Sequence, residues 1–183
     1  MNDKSTEAKL TETAVSQTYP YRGRIIRLRV DEVRMPTGRV VVREVVEQPG
    51  AVAVLACPDP DRVLLVRQYR YAVGAALLEL PAGKLEPGED PAAAALRELR
   101  EETGYAAASV RALSRFYTTP GFTSEVMHLF AAEGLTPGEQ EPDEDELIAC
   151  EAHTRDEVRA LIAGGGVADA KTLVGLLWWL GRP

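Results

Sequence analysis

The sequence predicts an α/β (α+β) protein, a sheet with packed helices preceded by an antiparallel strand extension at the N-terminus. Three observations predict it. Runs of β-branched residues at period two recur before residue 70 and again after residue 105. The stretch between them carries the start and stop signals of one helix, and two further helical patterns close the chain.

Residues 1–18 are polar, with little to bury against the entropy of ordering them, and are read as a mobile leader. Val and Ile alternate with Arg and Glu from Arg24 to Arg34 and from Arg39 to Glu47, and Pro36-Thr37-Gly38 between them is a turn, so 19–48 reads as a strand hairpin. Strands are expected at Ala51–Cys57 and Val63–Gln68, divided by Pro58-Asp59-Pro60-Asp61, and at Val110–Thr118, Glu125–Ala132 and Leu147–His153. An acidic loop, Thr136–Glu146, precedes the last of these. Thr154 and Glu157 have the spacing of a capping box for a helix to Ala163, ended by Gly164-Gly165-Gly166. A final helix over Asp169–Leu180 has Leu173, Leu176, Leu177 and Leu180 at helical spacing, which predicts a packed face.

The chemistry lies between Pro81 and Tyr105. Asp90 is a good N-cap, Pro91 suits the first helical position and Gly104 suits a left-handed terminus, so a helix is expected over 91–103. At about 100° per residue, Glu98, Glu101 and Glu102 share one sector, while Ala92, Leu96, Leu99 and Thr103 fall elsewhere and are expected to pack. Like charges at such spacing repel, a cost that a divalent cation among them would remove. Ligands that are all oxygen point to Mg²⁺ or Mn²⁺.

Gly83, Glu89 and the run Arg97-Glu98-Leu99-Arg100-Glu101-Glu102-Thr103-Gly104 together resemble the Nudix box, G-x5-E-x7-R-E-U-x-E-E-x-G-U with U aliphatic. All seven fixed positions agree; Tyr105 stands where the pattern ends on an aliphatic residue. The resemblance implies a Nudix α-β-α sandwich with a mixed sheet over 49–183, and hydrolysis of a pyrophosphate bond. It implies Glu98 and Glu102 as metal ligands, the Ala82 carbonyl as a further one, Glu101 as auxiliary, and Arg97 and Glu89 as the pair orienting the unit. Pro120-Gly121, sixteen residues beyond Gly104, looks like the downstream proline of the ADP-ribose pyrophosphatase subfamily, and Val66–Arg70 and Asp169-Ala170-Lys171-Thr172 resemble the same subfamily. That likeness implies ADP-ribose as substrate, Arg70 reaching it, and Tyr21, Arg22 and Arg27 as adenine contacts. Glu144 corresponds to the subfamily's general base, with Glu146 as the fallback. In the subfamily that the sequence resembles, an N-terminal extension of this kind exchanges between subunits, so the resemblance implies a homodimer.

Other nucleoside diphosphate sugars or dinucleotides are alternative substrates, and a nucleotide-sugar sensor is the non-catalytic alternative, disfavoured by the crowded glutamates. The 21 Lys and Arg against 28 Asp and Glu give a net charge of −7, which opposes non-specific nucleic-acid binding. No apolar run is long enough for a membrane span and Met1–Thr18 lacks the apolar stretch of a signal peptide, so a cytoplasmic location is expected. Cys57 and Cys150, each in an apolar run, read as buried free thiols, and His128 and His153 as structural residues of strands.

Overall fold

The computed structural model describes residues 4–141 and 146–182. Its elements are α1 (Lys4–Ala8), β1 (Thr13–Arg22), β2 (Arg27–Arg34), β3 (Val40–Glu47), β4 (Ala51–Leu55), β5 (Arg62–Arg70), β6 (Ala75–Glu79) and β7 (Ala82–Lys84). There follow α2 (Pro91–Thr103), β8 (Tyr105–Ala106), β9 (Ser109–Tyr117), β10 (Val126–Glu133), β11 (Thr136–Pro137), β12 (Ile148–Thr154), α3 (Arg155–Ala163) and α4 (Ala170–Leu180). The chain divides into two units, 1–49 with 119–125 and 50–118 with 126–183.

In the first unit β1, β2 and β3 form an antiparallel sheet, its β2–β3 turn closed by Gly38 at φ 86°. The expected leader differs from what is found, because Thr13–Thr18 belong to β1 and pair with Arg34–Val30 of β2. The strand is held by its ladder and by polar cross-strand contacts, with Ser16 donating to Glu32 at 3.0 Å and Gln17 to Asp31 at 3.2 Å. Nearly all of β1 is exposed, so hydrophobic patterning could not reveal it. The segment 119–125 also belongs here, since Val46 N–H donates to the Phe122 carbonyl at 2.8 Å and Ser124 N–H to the Val46 carbonyl at 3.3 Å.

In the second unit the order β7-β4-β10-β9 makes a mixed sheet, parallel between β4 and β10 and antiparallel elsewhere. A second, antiparallel sheet runs β12-β5-β6, and β11 pairs with β8. Strand β4 is buried on both faces. Ala51, Ala53 and Leu55 join Leu80, Leu129, Val158, Leu176 and Trp179 on the side of α3 and α4, whereas Val52 and Val54 join Ala94, Ala95 and Leu99 of α2. Helices therefore cover both sides of the strands, the α-β-α sandwich. Strand β7 has only three residues, and β6 reads Ala-Ala-Leu-Leu-Glu with neither alternation nor β-branched residues, so neither is legible in the sequence. Leu177, expected on the packed stripe of α4, is 56% exposed; Trp179 takes the inward position. Among the described residues no helix is long and apolar enough to cross a membrane.

The ends of α2 are set as expected. Asp90 accepts the N–H groups of Ala92 and Ala93, Pro91 follows it, and Gly104 ends the helix at φ 75° with its N–H on the Arg100 carbonyl. A Cβ at Gly104 would stand 2.8 Å from the Gln140 nitrogen and 2.9 Å from the Glu139 carbonyl carbon. Replacing Asp90 with Ala should cost about 1 kcal/mol of stability, the usual loss of an N-cap. Gly104→Ala should cost more, adding backbone overlap to the left-handed strain; denaturant melts of both variants check this order.

Candidate active site

Helix α2 does not divide into a packing face and a solvated acidic face. Its buried residues are Ala94, Ala95, Glu98, Leu99, Glu102 and Thr103, so two of the three expected glutamates lie within the buried surface. Strand β7 covers them. The Ala82 N–H donates to Glu102 Oε2 at 2.8 Å, and the Glu98 carboxylate lies so close to Gly83 that a Cβ there would fall 1.9 Å from its atoms. With glycine at 83 the strand and the Glu98 carboxylate come this close; a side chain there would displace the carboxylate.

Arg97 organises the outer side of the site. Its Nε and Nη2 donate to the two oxygens of Glu89 at 3.0 and 3.1 Å, and Nη1 donates to Glu98 Oε1 and Glu101 Oε2 at 2.9 Å each. Glu89 also accepts the Glu86 N–H at 2.9 Å, which closes the loop before α2 onto the helix. The expected orienting pair is therefore a hydrogen-bonded one, and Glu101 is given to Arg97. Among the described residues no group of three His, Cys, Asp or Glu side chains is gathered as a metal cage.

Burial pushes the Glu98 carboxyl up to about 7, with Arg97 opposing and Glu101 and Glu146 adding repulsion. Burial pushes Glu102 up to about 8; the Ala82 N–H opposes this, and Glu98 and Glu146 reinforce it. Two carboxylates held this close and this dry are stable as anions only beside a positive charge. An oxygen donor set of this kind, cradled against a glycine, fits a hard divalent cation.

Arg70 at the end of β5 donates through Nε and Nη2 to Glu79 at 2.7 and 2.8 Å. Burial raises the Glu79 carboxyl, but Arg70 and Lys171 outweigh it and hold the group below its ordinary range. Lys171 stands in the segment whose resemblance to the subfamily the sequence shows, but its partner Glu79 has no such mark, although one charge inside Leu77-Leu78-Glu79-Leu80 is the signature of a buried, paired carboxylate. Gln140 was missed as well: its side-chain amide donates to the Glu102 carbonyl at 2.6 Å and the Ile148 carbonyl at 3.3 Å, tying the start of the acidic loop to α2 and β12.

Glu144 lies outside the described residues. Glu146 is described, and acts electrostatically on both Glu98 and Glu102. Arg27, Tyr21, Arg22, Pro120 and Gly121 all belong to the first unit and are exposed, Arg22 standing over the Tyr19 ring at 3.9 Å. Cys57 and Cys150 are free thiols that burial pushes up to about 11, which makes them poor nucleophiles. His153 pairs with Glu151 at 3.2 Å, and burial, with Arg115 adding to it, lowers His128.

A sandwich whose central helix presents buried paired glutamates to a glycine-bearing strand defines the Nudix class of hydrolase. The NUDIX domain model matches residues 47–173, and the model of the nucleoside diphosphate sugar hydrolase N-terminal domain matches 12–46; the chain belongs to the Nudix family. It is 42% identical over 165 residues to an ADP-ribose pyrophosphatase of Bacillus subtilis (strain 168), covering 89% of each chain. It is 41% identical over 165 residues to a methanol dehydrogenase activator of Bacillus methanolicus, again over 89% of each. A crystal structure of an ADP compounds hydrolase superposes with a TM-score of 0.81 at 25% identity, covering 91% of each chain.

With a chelator present, stability should fall as pH rises from about 5 to 8. The folded chain keeps protons on Glu98 and Glu102 up to about 7 and 8, while the unfolded chain releases them near 4.5, so the folded state binds more protons throughout that window. Thermal melts across this range should show the slope in the wild type, a weaker slope in Glu102→Gln, and recovery with added divalent cation only in the wild type. Equal slopes in both proteins would remove Glu102 as the source.

Proposed function

We propose that this Nudix hydrolase cleaves the pyrophosphate bond of ADP-ribose, giving AMP and ribose 5-phosphate, with Mg²⁺ or Mn²⁺ as the required ion. The observation that carries the reading is the buried Glu98–Glu102 pair set against Ala82 and Gly83, and the likeness to the ADP-ribose pyrophosphatase favours the substrate.

Glu98 and Glu102 would hold the ion, with the Ala82 carbonyl as a further ligand and Glu101 as an auxiliary one. When bound, such an ion activates a coordinated water and neutralises phosphate oxygens. Arg97 keeps Glu98 and the Glu89 loop in register with α2. Glu144 accepts the proton of the attacking water, with Glu146 as the alternative base. The water oxygen bonds to one phosphorus, the bridging oxygen leaves with the other phosphate, and one proton passes to the carboxylate. Arg70 supports the pyrophosphate, and Arg27, Pro120 and Gly121, with Tyr21 and Arg22, belong to the nucleotide-recognising surface. We place the chain in the cytoplasm as a homodimer built through residues 19–48, acting on a small nucleotide sugar and on neither nucleic acid nor membrane.

A second reading, activity on other nucleoside diphosphate derivatives, is favoured by the likeness, 36% identical over 143 residues, to a GDP-mannose pyrophosphatase of Yersinia enterocolitica serotype O:8 / biotype 1B, covering 73% of this chain and 74% of that one. Product analysis with Mg²⁺ against ADP-ribose, nucleoside diphosphate sugars and dinucleotides decides between them; ADP-ribose is expected to be cleaved fastest. Glu102→Gln should lose roughly a hundredfold or more in kcat, and Glu144→Gln should lose about as much while keeping its metal affinity. Normal turnover by Glu144→Gln would pass the role to Glu146. Light scattering should give twice the 19.9 kDa of one chain.

A further inference from the structure

The segment Asp169-Ala170-Lys171-Thr172 opens α4, and its side chains form a polar relay inside the second unit. Thr172 is fully buried; its hydroxyl accepts the Leu80 N–H at 2.8 Å and donates to Asp169 Oδ2 at 2.6 Å. The same Asp169 oxygen meets Lys171 Nζ at 3.0 Å, and Lys171 donates to Glu79 Oε2. Glu79, 1% exposed, then grips Arg70 side-on. The relay thus runs from the N-terminus of α4 through β6 to the end of β5.

The relay ends asymmetrically. The Glu79 side chain is 2% exposed and that of Lys171 11%, but the Arg70 side chain is 37% exposed. The bidentate pair uses Nε and Nη2 and leaves Nη1 outside it. Arg70 also acts electrostatically on Glu102. The side chains of Glu98, Glu101, Glu102 and Glu146 are all acidic, and Arg97 gives its donors to Glu89, Glu98 and Glu101. A pyrophosphate entering there needs a cation held in a set orientation. A guanidinium locked by a buried carboxylate has already lost the side-chain freedom that a mobile arginine would lose on binding.

We propose that Glu79 and Lys171 are positioning residues that hold the Arg70 guanidinium ready for the pyrophosphate, and that the Asp169–Thr172 segment serves to fix them. The inference rests on the pyrophosphohydrolase function proposed above and assigns the residues that make its arginine competent.

The test is a double-mutant cycle on Arg70→Ala and Glu79→Gln, with Lys171→Met and Lys171→Arg each made in the wild-type and Arg70→Ala backgrounds. KM and kcat for ADP-ribose are measured beside the calorimetric Kd for magnesium pyrophosphate and the melting temperature. Arg70→Ala should raise KM and Kd about tenfold, the effect of losing one charge-assisted contact. Glu79→Gln and Lys171→Met should raise both several-fold in the wild type but less than about twofold in the Arg70→Ala background, as expected of residues acting through one partner. Lys171→Arg should restore most of the loss. Equal factors in both backgrounds, following the melting temperature, would make the relay a structural brace only and overturn the proposal; if Glu79→Gln does not fold, the Lys171 cycle decides between the two outcomes by itself. Should ADP-ribose not be cleaved while pyrophosphate binding shows the non-additive pattern, the proposed substrate fails and this inference stands. Cleavage of ADP-ribose that is indifferent to Arg70→Ala does the reverse, and a wild type that binds neither ligand ends both.

Discussion

The contact between strand β7 and helix α2 governs the site. Ala82 donates its N–H to Glu102, and Gly83 lacks the side chain that would collide with Glu98, so a strand passes directly over two carboxylates. Burial raises the proton affinity of both, and the helix carries charges that it could stabilise in water but not here. The cost is local and of one sign, which is why the neighbourhood is arranged to receive positive charge. Leu99, Ala94 and Ala95 on the same helix pack against β4, so the position of the carboxylates is set by the core rather than by a loop.

Two arginines answer that charge in different ways. Arg97 is committed within the motif, joining Glu89, Glu98 and Glu101 and tying the preceding loop to the helix. Arg70 is held from behind by Glu79, the last residue of β6, just before Leu80 and Pro81, and Glu79 is in turn balanced by Lys171 from the last helix. The helix cap at Asp169 and the orientation of Arg70 are consequently parts of one hydrogen-bonded system. Gln140 adds a third fastening, joining the end of α2 to the strand beyond the acidic loop. In each case a polar group on one element satisfies a backbone or charged group on another, leaving few buried polar groups to chance.

The N-terminal unit follows other rules. Its strands expose most of their side chains, and β1 is held to β2 by backbone ladder bonds and by pairs such as Ser16–Glu32 and Gln17–Asp31. Such a sheet leaves apolar residues in the open, among them Val15, Tyr21, Val40 and Val42. The segment 119–125 completes this unit although it lies far along the chain, because its backbone pairs with Val46.

The sequence by itself determined the elements whose signals are local: the caps of α2 and α3, the apolar spacing of α4, the β2–β3 hairpin, the strands of alternating or continuous apolar residues, and the spaced glycines, glutamates and arginine that mark the family. It could not determine what depends on pairing between distant segments. Strand β1 is polar because its partner, not a core, satisfies it; β7 is too short to show a period and β6 carries no β-branched residue. Glu98 and Glu102 on the apparent acidic face of α2 lie against β7, a fact no helical wheel contains. The partners of Glu79 lie 9 residues before it and 92 after it, at Arg70 and Lys171. Charges brought together over such separations are a property of the packed chain, since only folding removes the water that would otherwise screen them.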